Sequence, residues 1–94
     1  MHAAAALWAR RLISANTNIR RVGYIGSYAR GDWGPGSDID LVILVGEAED
    51  PLVRARGIDT LDLPVPADVL IFTEAEWDGM QGRRIRREPI VWTT

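Results

Sequence analysis

Asp38-Ile39-Asp40 is the segment of this sequence best suited to chemistry. Side chains on an extended strand alternate between faces, so carboxylates two positions apart share one. Their α-carbons then stand roughly 6–7 Å apart at ~3.3 Å per residue. Such a pair can share a divalent ion or bracket two. Mg²⁺ takes one or two carboxylates together with phosphate oxygens and water, and a two-ion site holds its metals ~3.5–4 Å apart. Asp-x-Asp also arises by chance on solvated surfaces. Here it opens the apolar run Ile39–Val45, where a carboxylate is costly unless paired or bound to metal.

Gly26-Ser27 offers a second element of a site. It ends the β-like run Arg21–Ile25 and precedes Tyr28-Ala29-Arg30, which starts a short helix. Glycine lets the backbone approach a phosphate closely. The helix start turns N–H donors and the positive dipole end toward an anion, and Ser27 adds a hydroxyl. Taken alone, the pair reads equally as an ordinary turn with a serine N-cap. Arg30 can reach phosphate or pair with Asp32. Trp33 can stack on a base or pack within its loop, and Ser37 is placed to orient the loop before Asp38. A later strand, Ala67–Phe72, carries one acid, Asp68, whose bland role is an ion pair with an arginine.

Gly26-Ser27, ten intervening residues and then Asp38-x-Asp40, with Ala29-Arg30-Gly31 and Ser37 between, resembles the signature of the DNA polymerase β-like nucleotidyltransferase superfamily. The Gly-Ser-Tyr-Ala-Arg-Gly form and the short chain are similar to the minimal nucleotidyltransferases. Several of these are antitoxins paired with a small helical toxin of the HEPN class. The resemblance implies that Gly26 and Ser27 bind phosphate and that Asp38 and Asp40 hold Mg²⁺ or Mn²⁺. It also implies that Asp68 completes the metal site and assists deprotonation of the attacking hydroxyl. It further implies transfer of a nucleoside monophosphate, with ATP as the family's commonest donor, to an acceptor hydroxyl on a helical partner. Two rival readings are a non-catalytic module that masks a partner by contact and a small-molecule nucleotidyltransferase.

These residues need elements to position them. Ala5, Trp8, Leu12 and Ala15 recur at helical spacing, predicting a first helix that ends near Asn16–Asn18. The run Ile39–Val45 predicts a central strand buried on both faces. Asp50-Pro51 predicts an N-cap and first turn of a helix stopping by Gly57. Residues Ile58–Pro66 are ambiguous, since their prolines argue against a central strand. Thr73 and Glu76 form a capping box that opens a helix through Trp77 and Met80. Pro89 stops any helix over Ile85, and Ile90-Val91-Trp92 predicts a short edge strand. The expectation is an α/β fold: a small mixed sheet flanked by helices, with Ile39–Val45 near its centre and the helices on one side.

The bulk properties limit the alternatives. The 94 residues suffice for one small domain, expected to span 1–94. The net charge of -2 supplies no surplus for general nucleic-acid binding. Arg83, Arg84, Arg86 and Arg87 are clustered, most simply as a solvated helix face. Cysteine is absent, which excludes disulfides and thiolate chemistry. His2, the single histidine, reads as a bystander. No apolar run approaches the ~20 residues that span a bilayer, and the arginines after Ala3–Ala9 are in the wrong order for a secretory signal. A cytoplasmic location, with no membrane and an oligomer left open, is the expectation.

Overall fold

The run Ile39–Val45 becomes an inner strand of a mixed sheet that has four strands among the described residues. The computed structural model describes residues 1–46, 58–79 and 89–93. In chain order these form α1 (His2–Ala15), β1 (Ile19–Ile25), α2 (Ser27–Arg30), β2 (Ile39–Val45), β3 (Ala67–Thr73), α3 (Glu74–Gly79) and β4 (Val91–Trp92). The expected α/β fold, a small mixed sheet flanked by helices, is what forms. The predicted helix from Asp50 to Gly57, the stretch around Ile85 and the Arg83–Arg87 cluster lie outside the described residues.

The strand order is β3-β2-β1-β4. β2 runs antiparallel to β1 and parallel to β3, and β4 pairs antiparallel with β1. All of β2 except Asp40 is buried. Alternation sends Ile39, Leu41, Ile43 and Val45 to one face, where they pack with Val22, Tyr24 and the Ala5, Trp8 and Ala9 stripe of α1. The Trp8 Nε1–H donates to the Asp59 carbonyl at 2.8 Å, fastening α1 to the segment before β3. Leu63 in that segment is also buried in this core.

Val42, Leu44 and Ile25 line the other face, packed against Phe72, Trp77, Ile90 and Trp92. The helices are therefore not confined to one side as expected. β3 passes directly into α3, with no linker to carry the chain round the sheet, so Trp77 reaches Phe72 at a ring separation of 5.8 Å. The predicted capping box forms. The Thr73 N–H donates to Glu76 Oε1 at 2.9 Å, and the Glu76 N–H donates to Thr73 Oγ1 at 3.0 Å. Trp92 stands edge-on to Trp77 at 6.0 Å and beneath the Arg21 guanidinium, 3.8 Å from the ring centre.

The expected edge strand is present as Val91–Trp92. His2 is hydrogen-bonded, with Nδ1 2.9 Å from the Tyr24 hydroxyl. No helix among the described residues is long and apolar enough to cross a membrane.

Candidate active site

The carboxylates meet where β2 and β3 begin. The parallel register sets Ile39 beside Ala67 and Asp40 beside Asp68. Adjacent strands lie about 4.8 Å apart, and residues in register share a face. Asp40 and Asp68 therefore project together, on the face that continues into Val42, Leu44 and Phe72. The Ile39 N–H donates to the Pro66 carbonyl at 3.0 Å and locks the two strand starts together. Asp40 is half-buried, while Asp38, just ahead of β2, and Asp68 are exposed.

Gly26 supplies the third wall. It follows Ile25, whose partner across β1 and β2 is Asp40. Its φ of 78° and ψ of -152° lie in a region that essentially only glycine occupies. A Cβ at position 26 would overlap Asp40 Oδ2 and stand 3.4 Å from its Cγ. The missing side chain is thus the space in which the Asp40 carboxylate lies. Ser27, half-buried, begins α2 directly after this turn. The Ala29 and Arg30 N–H groups both donate to the Gly26 carbonyl, so the bonded turn starts behind Gly26 and Ser27.

The loop from α2 to β2 is internally braced. The Gly34 N–H donates to Ser37 Oγ at 2.9 Å, and the Ser37 N–H returns to the Gly34 carbonyl at 3.0 Å. Ser37 thus orients the loop before Asp38, as the sequence predicts. Arg30 Nε pairs with Asp32 Oδ2 at 3.2 Å in an exposed position. Trp33 packs within the loop, stacked on Tyr28 with ring centres 5.4 Å apart and planes at 18°. The Tyr28 hydroxyl in turn donates to the Ser37 carbonyl at 3.4 Å. Sequence reasoning gave Tyr28 no role, because a ring contact inside a loop leaves no periodic signal.

The donor set suits a hard divalent cation, being carboxylate oxygen throughout. Among the described residues no three acids or histidines are gathered closely enough to enclose an ion. Mg²⁺ asks for less, since one or two carboxylates suffice when phosphate and water complete its shell. Asp40 and Asp68, paired in register, are two such carboxylates.

The chain is thus a small mixed sheet with helices, with acids at adjoining strand starts and a glycine turn against one of them. The nucleotidyltransferase domain profile matches residues 9–90, and the chain belongs to that family. A protein from Sulfolobus solfataricus, provisionally assigned as a nucleotidyltransferase, superimposes with a TM-score of 0.69 at 25% identity. The match covers 84% of this chain and 72% of that one. A toxin–antitoxin structure with AMP-PNP superimposes with a TM-score of 0.64 over 95% of this chain and 72% of that one. Its 18% identity speaks to the fold alone. No curated protein matches the sequence.

Proposed function

We propose that this nucleotidyltransferase moves a nucleoside monophosphate, AMP from ATP, onto a hydroxyl of a small helical partner protein and thereby acts as an antitoxin. The observation that carries the reading is the register pairing of Asp40 with Asp68 beside the turn at Gly26. The toxin–antitoxin neighbour, and the resemblance to minimal nucleotidyltransferases paired with HEPN-class toxins, support the choice of partner.

Gly26 and Ser27 hold the β- and γ-phosphates. Arg30, whose Nε engages Asp32, is the cation assigned to them through its two remaining nitrogens. Asp38, Asp40 and Asp68 are the residues to hold Mg²⁺ or Mn²⁺, which when bound neutralises charge on the triphosphate. The acceptor hydroxyl oxygen attacks the α-phosphorus in line. Its proton passes to the Asp68 carboxylate, the new O–P bond forms, and the bond to the bridging oxygen breaks to release pyrophosphate. Positioning and electrostatics supply most of the acceleration. The reading takes the reaction to be cytoplasmic.

Intact-mass spectrometry of a neighbouring-gene product, incubated with this protein, ATP and Mg²⁺, tests the reading. Discrete AMP increments are expected, and they vanish with Asp38→Asn or Asp40→Asn. A second reading is a binding module that masks its partner by contact. It prevails if the mass never changes while both variants still neutralise the partner.

A further inference from the structure

Asp38 stands one residue before β2, ahead of the register that begins with Ile39 beside Ala67. That register places Asp40 and Asp68. Asp38 is placed instead by the two peptide groups that flank it. The following peptide's N–H, on Ile39, donates to the Pro66 carbonyl at 3.0 Å, just ahead of the strand that carries Asp68. The preceding peptide's carbonyl, on Ser37, receives the Tyr28 hydroxyl at 3.4 Å. A peptide unit is planar, so holding the Ser37 carbonyl also holds the plane that contains the Asp38 nitrogen. With a bond on each flank, the backbone at Asp38 has little freedom to swing its carboxylate.

Tyr28 is itself held in place. Its ring packs against the core on the α1 face, and Trp33 stacks on it with planes at 18°. Trp33 remains 56% exposed, so burial of the indole accounts for little of its place in the loop. What Trp33 supplies is a ring on Tyr28, which fixes where the phenol hydroxyl points. Tyr28 also follows Ser27 directly in α2. Its bond to Ser37 therefore ties the turn assigned to phosphate to the acid assigned to metal.

We propose that Tyr28 is a positioning residue for Asp38, with Trp33 as the ring that steadies it. The Tyr28 hydroxyl holds the Ser37 carbonyl, and through that peptide it sets the Asp38 carboxylate for its metal. Neither ring needs to touch metal or phosphate to do this. The proposal rests on the reading of Asp38 as a metal ligand.

Calorimetric titration of the full chain with Mn²⁺ tests it, in the presence of α,β-methylene ATP, whose α–β bridge the transfer cannot break. The titration is run well below the melting transition, so that a loss of stability alone leaves the affinity unmoved. Tyr28→Phe keeps the ring and loses the hydroxyl. It should weaken Mn²⁺ binding by about three- to tenfold, the scale of one hydrogen bond. Trp33→Ala should weaken it likewise, and Trp33→Phe, which keeps a ring on the stack, should recover it. In an Asp38→Asn background Tyr28→Phe should have no further effect, because the carboxylate it positions is gone; a merely structural tyrosine would lower both backgrounds alike. Wild-type affinity in Tyr28→Phe, or equal losses in both backgrounds, overturns the proposal and leaves Asp38 a ligand so long as Asp38→Asn alone binds more weakly. If Asp38→Asn binds Mn²⁺ as the wild type does, the metal assignment itself fails and the proposal falls with it. If Asp38→Asn binds too weakly to titrate, the Trp33 variants decide, and equal affinities for Trp33→Ala and Trp33→Phe overturn the proposal.

Discussion

Gly26 and Asp40 occupy one another's space: the Asp40 carboxylate lies where a side chain at position 26 would be. Two independent demands therefore fall on Gly26, a backbone at φ 78° and room for a carboxylate. Gly26→Ala is expected to lose about 1–3 kcal/mol of stability from the backbone demand, read by urea denaturation. Displacing Asp40 should lower nucleotidyl transfer by roughly 100-fold, the scale of a misplacement near 1 Å. Gly31→Ala is the comparison, because it shares the positive φ but has nothing within 4 Å of the added carbon. It should lose stability and largely keep activity. Equal losses of activity in both variants would falsify the Gly26–Asp40 assignment.

Asp40 and Asp68 place like charges side by side in the register. Replacing both with Asn is expected to leave the stability of the ligand-free protein unchanged or raise it by up to about 1 kcal/mol. Mg²⁺–ATP at 100 times its Kd should stabilise the wild type by about 2.7 kcal/mol and the double variant not at all. Thermal melts with and without nucleotide give both numbers. A sharp drop in ligand-free stability would instead make these acids structural.

The sequence showed what is local and hid what is not. Ile39–Val45 is legible to the residue because a strand flanked on both sides needs a near-continuous apolar run, interrupted here only by Asp40. The capping box was legible because Thr73 and Glu76 answer each other within a single turn. β1 was read from Arg21 but starts at Ile19, since the register shifts between Ile19 and Arg21 and breaks the alternation. The segment 58–66 was ambiguous, and turns do occupy part of it, yet Leu63 is buried there. The two acids could each be placed at a strand start, but not side by side. A parallel register is set by packing across the crossover, not by anything within either strand. The same holds for Trp33 on Tyr28 and for the carboxylate that fills the space at Gly26.

Thr73 joins β3 to α3, and its side chain receives the Glu76 N–H at 3.0 Å. Thr73→Ala removes that cap and leaves a helix N–H without its partner, for an expected loss of about 1 kcal/mol. Because α3 carries Trp77 onto Phe72 and Trp92, the loss should be accompanied by a change in near-ultraviolet circular dichroism. Thr73→Ser keeps the hydroxyl and should retain most of the stability. Indistinguishable melts for the two variants would remove the cap from the account of α3.

Tyr24 gives the chain a limb of alkaline instability. Burial raises its phenol above the ordinary value of 10.0, because the charged phenolate is poorly solvated there. Above that value the unfolded chain has released the proton and the folded chain still holds it. The unfolded state then binds fewer protons, and stability falls as pH rises toward the folded pKa. Below pH 10 both states are protonated and the contribution is fully present. Few other groups confuse this window: the chain has no Cys, all its basic side chains except His2 are Arg, and arginine stays protonated throughout. Urea midpoints measured from pH 8 to pH 11 should therefore fall for the wild type and flatten for Tyr24→Phe, with Tyr28 present in both. At pH 8 the variant also lacks the hydrogen bond to His2. An offset of about 0.5–1.5 kcal/mol is expected there, so the two curves should converge or cross on the alkaline side. A Tyr24→Phe curve that falls as steeply as the wild type would place the alkaline sensitivity elsewhere in the chain.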